Sequence, residues 1–181
     1  MFSVNSNIIL HNKHFKPYIN DRQIADAVNK IALNINTELK NELPVFLVVL
    51  NGAFMFAADL LKEIKIPCEI SFIKVASYHG TNSSGVVNEL IGLTEDVSGR
   101  TVVILEDIVD TGVTLEKLMN VLYKKNVKQI KVATVLYKPE SYQKKIKIDY
   151  PGINIGNDFV VGYGLDYDGL GRNLKEIYVL A

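Results

Sequence analysis

The chain has 181 residues, 48% of them hydrophobic, with 20 basic and 20 acidic side chains and one cysteine. That length suits one substantial core and is short for two domains, and the balanced charge leaves no net field to draw the protein to nucleic acid or an anionic membrane. Cys68 alone excludes an internal disulfide and a multi-cysteine metal site; the opening MFSVNSN lacks the features of a secretory signal and no apolar run approaches the about 20 residues of a membrane span, so a cytoplasmic protein is expected.

In chain order, the first predicted helix follows Asp21, read as its N-cap, with Ile24, Val28, Ile31 and Ile35 as the buried stripe. VFLVVL (45–50) is a strand-length apolar run, and after Asn51-Gly52 the spacing of Ala53, Phe56, Ala57, Leu60 and Leu61 puts one apolar face on a second helix. ISFIKV (70–75) is the next strand. SYHGTNSSG, from Ser77 to Gly85, is polar and precedes the β-favouring VVNELIGL, which predicts a long hairpin loop of the kind that serves as a lid. VVIL (102–105) and IKVATVL (130–136) are two further strands, and between them Leu115, Leu118, Met119 and Leu122 mark a helix after Thr114. This alternation favours an α/β fold with a mainly parallel twisted sheet flanked by helices. The tail DFVVGYGLDYDGLGRNLKEIYVL has two strand-like runs around a turn-rich centre, which suits either a small subdomain over the sheet or an edge hairpin.

The chemistry concentrates in VVILEDIVDTGVT (102–114), where an apolar run breaks into a turn bearing Glu106, Asp107 and Asp110. In an open parallel sheet, ligands bind outside the carboxyl ends of the strands, where this segment lies. The amides of Thr111, Gly112, Val113 and Thr114 converge at a helix start, where unpaired N–H groups and the dipole favour an anion, and Gly112 lets a phosphate approach the backbone. Neither a Walker lysine pattern nor GxGxxG is present, which argues against a nucleoside triphosphatase or a dinucleotide binder. Carboxylates only accept hydrogen bonds, so Glu106 and Asp107 suit neighbouring sugar hydroxyls or the water around Mg²⁺. A ribose phosphate satisfies both halves.

VVILEDIVDTG resembles the signature of the type I phosphoribosyltransferases, an acid pair ending a hydrophobic strand followed by a D-T-G phosphate loop. The resemblance extends to LNGAFMFAADLL as a pyrophosphate loop, to SYHGTNSSG as a flexible catalytic loop and to DFVVGYGLDYDGLGRNL as a base-binding hood, and it is to the hypoxanthine-guanine branch. It implies a single domain, 1–181, with a core of about 20–140 and a hood formed by the N- and C-terminal segments, about 1–15 and 141–181. The implied reaction is Mg²⁺-dependent transfer of the 5-phosphoribosyl group from phosphoribosyl pyrophosphate to N9 of a 6-oxopurine, giving IMP or GMP and pyrophosphate.

The roles that follow are implied by that resemblance. Asp110 matches the acid near purine N7, and Glu106 and Asp107 match residues that hold the ribose and, with Asp166, the metal. Thr111, Gly112, Val113 and Thr114 meet the phosphate; Val113 stands where many relatives carry a basic residue. Leu50, Asn51 and Gly52 match the pyrophosphate loop, often built on a cis peptide. Because many relatives have a basic residue in place of Asn51, the charge there is expected from Arg172, with Lys74 a further candidate. Lys138 matches the donor to O6, Phe159 the ring that stacks on the purine, and Val160 the residue whose backbone meets the base edge. Ser77 and Tyr78 belong to the closing loop. A homodimer or homotetramer is expected from relatives. Two alternatives remain open at this level: salvage of xanthine or another base, and a regulatory binder that keeps the fold without catalysis. The second is disfavoured by the absence of an appended DNA-binding segment before LHNKHFKPYIN and by the balanced charge.

Overall fold

Order along the chain is β1 (Ile8–Leu10), β2 (Lys13–Ile19), α1 (Asp21–Glu38), β3 (Val45–Leu50), α2 (Phe54–Glu63), β4 (Glu69–Val75), β5 (Leu90–Ile91), β6 (Thr101–Val109), α3 (Val113–Lys124), β7 (Gln129–Tyr137), β8 (Tyr150–Asn154), β9 (Val160–Val161) and β10 (Ile177–Leu180). This is a computed structural model, and it describes residues 6–75, 90–93 and 95–181. The large sheet has the order β5-β4-β3-β6-β7-β8 and is parallel throughout except for β5, which runs antiparallel to β4. A second, antiparallel sheet, β1-β2-β10-β9, joins the N-terminal segment to the C-terminal one.

The period-2 alternation of β3 explains why the large sheet is covered on both faces. Phe46 and Val48 point into a core shared with Val28 and Ile31 of α1 and Phe56 and Leu60 of α2. Val45, Leu47 and Val49 point the other way, against Leu115, Leu118 and Leu122 of α3. Full burial of side chains such as Phe56 and Leu60 contributes about 2 to 3 kcal/mol each before entropy is counted, which is why these faces fix the positions of the loops between them.

Four boundaries differ from the sequence expectation. The N-cap of α1 is Asn20 rather than Asp21: the Asn20 side chain accepts from the Gln23 amide at 2.9 Å and the Gln23 side chain accepts from the Asn20 amide at 3.0 Å. Asp21 is the first helical residue and binds Lys175 at 2.7 Å instead. A reciprocal capping box of this kind is worth about 1 kcal/mol and outcompetes a single aspartate one residue on. Next, β8 pairs with β7, so the large sheet takes in residues past the expected hood boundary at 141, and β2 carries the small sheet to Ile19 rather than 15. Finally, β6 does not stop at Leu105 but continues through Glu106 to Val109, because β7 runs alongside and pairs Glu106 with Thr134 and Val109 with Tyr137.

Candidate active site

The carboxyl ends of β3 and β6, adjacent in the sheet, deliver two loops to one edge of the molecule. After β3, the Leu50–Asn51 peptide is cis, and the chain turns through Gly52 into α2. Gly52 lies against Asp107: a Cβ at this position would collide with the carboxylate, its Cγ only 2.5 Å away. Lys74 faces Leu50 across the parallel register and is exposed, so it stands level with this loop.

Glu106 and Asp107 therefore sit inside a strand rather than in the turn after it. Glu106 is buried, and that burial, reinforced by the neighbouring charge of Asp107, pushes its carboxyl well above the ordinary range. Burial also raises Asp107, to about 6; the amide of Ile108, which it accepts from at 2.8 Å, and the nearby Arg172 pull it down, while Asp166 pushes it up. Two acids held in a poorly solvated position are prepared for partners that supply hydrogen-bond donors or positive charge.

The turn itself is short, Asp110 to Gly112. Gly112 caps α3 in the left-handed conformation, φ 82°, and has no side chain to occupy the first amides of the helix, so these point outward as an anion cradle. Val109 to Thr114 line a cleft together with Glu106 and Asp107. Beside it, Lys138 follows β7, is buried, and donates to Asp110 at 2.9 Å. The backbone repeats this connection, since the Lys138 amide donates to the Val109 carbonyl at 2.9 Å.

The small sheet supplies the remaining wall. Phe159, just before β9, is 45% exposed, although in isolation such a residue reads as a core position; its ring lies against Phe15 and the edge of Tyr167, with centroids 6.3 and 6.0 Å away. Val160, next to it, is buried in β9. Arg172 donates to the Gly164 carbonyl at 2.7 Å and pairs with Asp166 at 2.6 Å, and it lines a cleft with Leu50, Asn51 and Phe54. Asp166 also accepts from the Gly169 amide at 2.7 Å, so both of its oxygens are engaged.

Thus Leu50, Asn51 and Gly52 come together with Asp107 and Arg172, and Asp110 comes together with Lys138. Ser77 and Tyr78, with the expected lid Ser77–Gly85, lie outside the described residues. Sequence reasoning missed the contact that seats the small sheet on the core, a hydrogen bond from Tyr163 to Asp59 of α2 at 2.8 Å, and the segment that packs on Gly112, where Tyr142 and Lys144 take up the space beside the glycine. Neither has a local signal, because the partners are far apart in the chain. Burial pushes the Cys68 thiol up, away from a reactive thiolate.

Among the described residues no group of three or more His, Cys, Asp or Glu forms a metal cage. The hard oxygen donors present, Glu106, Asp107 and Asp166, suit Mg²⁺ in the way it is usually held, by one or two carboxylates with water and substrate phosphates completing the shell. Asp166 would have to release Arg172 to join them.

Residues 17–168 match the family model for the phosphoribosyl transferase domain. The chain is 39% identical over 173 residues to the hypoxanthine-guanine phosphoribosyltransferase of Streptococcus pneumoniae, covering 95% of this chain and 96% of that protein. It is 44% identical over 137 residues to the enzyme of the same name from Mycobacterium bovis, 75% of this chain and 68% of the relative. Among solved structures, a hypoxanthine-guanine phosphoribosyltransferase from Bacillus anthracis superposes with a TM-score of 0.81 at 32% identity, over 92% of this chain and 96% of the other.

Proposed function

This chain belongs to the phosphoribosyltransferase family, and from that premise we propose that it is a hypoxanthine-guanine phosphoribosyltransferase of purine salvage. It transfers the 5-phosphoribosyl group of phosphoribosyl pyrophosphate to N9 of hypoxanthine or guanine, releasing pyrophosphate. The observation that carries the base assignment is the Lys138–Asp110 pair, 2.9 Å apart at the mouth of the cradle. A 6-oxopurine presents O6 and N7 side by side on one edge, and the pair offers an ammonium donor beside a carboxylate acceptor. Adenine would set its amino group against the ammonium, donor against donor.

On this reading the cradle amides of Thr111 to Thr114 hold the 5-phosphate, Glu106 and Asp107 the ribose hydroxyls, and Phe159 stacks on the base while the Val160 backbone meets its edge. Leu50, Asn51, Gly52 and Arg172 receive the pyrophosphate. As N9 bonds to C1′, the C1′–oxygen bond breaks and its electron pair leaves with the pyrophosphate; Asp110 takes the proton that the purine sheds at N7. Glu106, Asp107 and Asp166 would hold Mg²⁺, which would supply charge neutralisation at the leaving group.

The exposed apolar side chains of Phe54, Ile70 and Phe72 support assembly into a homodimer or homotetramer. No helix among the described residues is long and apolar enough to cross a membrane, and with the single cysteine this supports a cytoplasmic site of action.

The test is to incubate the protein with phosphoribosyl pyrophosphate, Mg²⁺ and hypoxanthine, guanine, xanthine or adenine in turn, and to follow mononucleotide formation by chromatography. Product from hypoxanthine and guanine is expected. Binding of phosphoribosyl pyrophosphate without product from any base would favour a regulatory binder. Lys138→Gln is expected to lower kcat/KM for 6-oxopurines about tenfold and to narrow the preference over adenine; an unchanged preference would remove Lys138 from the base site.

A further inference from the structure

From Glu106 to Leu115 the chain carries three carboxylates and no basic side chain, yet the proposed reaction seats a phosphate dianion in the middle of this segment. Lys138 is already bonded to Asp110. Lys144 also touches the loop: a Cβ built on Gly112 would lie 2.8 Å from its Cγ, so the stem of Lys144 runs along the glycine at the head of α3.

Lys144 is not there by accident of a loose surface chain. The Ser141 and Tyr142 amides donate to the Lys138 carbonyl at 3.2 and 3.1 Å, the Gln143 amide donates to the Thr111 carbonyl at 3.4 Å, and the Tyr142 hydroxyl donates to the Ile146 carbonyl at 2.6 Å. These bonds strap residues 141–146 against the turn at Thr111 and Gly112, beside the head of α3. The Lys144 ammonium lies 2.7 Å from Glu116, a residue of the first turn of α3, with the two side chains 26% and 49% exposed.

An ammonium beside a helix N-terminus is disfavoured by the dipole unless an anion accompanies it. Here Glu116 is that anion. An exposed pair of this kind is worth about 0 to 1 kcal/mol, so it yields readily to a stronger partner. A phosphate on the amides of the same helix end is such a partner, more highly charged than a carboxylate and richer in acceptors.

Building on the proposed function, we infer that Lys144 is a phosphate-binding residue of this site: it exchanges its pairing with Glu116, by rotation of its terminal carbons, for the 5-phosphate of phosphoribosyl pyrophosphate or of the mononucleotide product. Its cation compensates the acids of the loop from the strap.

Lys144→Met keeps the stem against Gly112 and removes the charge, and Lys144→Arg restores the charge. Calorimetric affinities for GMP and for guanosine, with KM and kcat, read the effect. Lys144→Met is expected to weaken GMP about tenfold and to raise KM for phosphoribosyl pyrophosphate similarly, while guanosine affinity and kcat stay within about twofold. Lys144→Arg should recover GMP affinity to within about threefold. GMP affinity of the Met variant within about twofold of the parent would overturn the inference, as would equal weakening of GMP and guanosine, which would mean that the strap only shapes the loop. In both cases the parent still makes mononucleotide. A parent protein that makes none from any 6-oxopurine overturns the proposed function itself.

Discussion

The loop after β3 and the loop after β6 stand side by side, each carrying the chain from a central parallel strand into a helix, but they are built differently. Residues 50–52 are closed at the glycine: Gly52 presses on the Asp107 carboxylate and the Leu50–Asn51 peptide is cis, while Asn51 is exposed and the nearby cation, Arg172, comes from the segment between β9 and β10. Residues 110–114 are open except at the glycine: Gly112 is left-handed and buried beside Tyr142 and Lys144, no side chain caps the first amides of α3, and Asp110, Thr111 and Thr114 are accessible. An anion at the open loop meets backbone amides of its own segment, with the inferred Lys144 contact supplied by the neighbouring strap. At the closed loop the charge is imported from elsewhere in the fold.

The largest expected effect separates chemistry from binding at the open loop. Asp110→Asn is expected to lower kcat by about 10² to 10⁴ while mononucleotide still binds, the range for a positioned acid-base group; steady-state kinetics with a binding titration checks it, and near-normal kcat would take Asp110 out of the proton step. Next come paired glycine variants. Gly52→Ala forces a methyl into the Asp107 carboxylate and is expected to cost about 3 kcal/mol of stability together with most pyrophosphate affinity. Gly112→Ala meets the Tyr142 ring at 2.5 Å and the left-handed backbone, for about 2 kcal/mol. Chemical denaturation of both would show whether the closed loop is the more tightly packed of the two; equal losses would erase the contrast.

A smaller effect tests the imported charge. Arg172→Gln is expected to weaken pyrophosphate about tenfold and to leave mononucleotide affinity within about twofold, since the cation serves one loop only. Equal losses for both ligands would show that Arg172 acts through the pairing with Asp166 and the shape of the hood. The smallest effect concerns Asp107, whose carboxyl rises from 3.8 to about 6 on burial. Because the folded chain holds this proton where the unfolded chain has lost it, the contribution to stability is full below about pH 3.8 and disappears as the pH rises through 6. Asp107→Asn keeps the shape without the buried charge, so its Tm should exceed that of the parent by about 3 °C near pH 7.5, a gain that shrinks as the pH falls towards 4. Melting curves across that range provide the check, and a gap that does not change with pH would mean that the buried charge of Asp107 is not its source.

The same contrast explains which parts of the site were legible. Asp110 to Thr114 form a contiguous run whose chemistry is local, a turn opening a helix, so the residues and their job could be read together. Leu50 to Gly52 carry no such signal in themselves, and only the resemblance raised them. The end of β6 differs from its sequence pattern because two acids look like the end of an apolar strand, whereas ladder pairing with β7 draws them inside. Phe159 has the composition of a core residue and is exposed because β9 is short and its neighbours Phe15 and Tyr167 fill the space behind the ring.

By itself, then, the sequence determined the alternation of buried strands and amphipathic helices, the place of the anion cradle and the identity of the acids, since each depends on side-chain period or on a turn a few residues long. What only the tertiary structure decided are the meetings of distant residues: Gly52 with Asp107, Lys138 with Asp110, Tyr163 with Asp59, and Lys144 with Gly112 and Glu116. Such contacts depend on how sheets and helices pack, and no local pattern encodes the distance between two segments that are far apart along the chain.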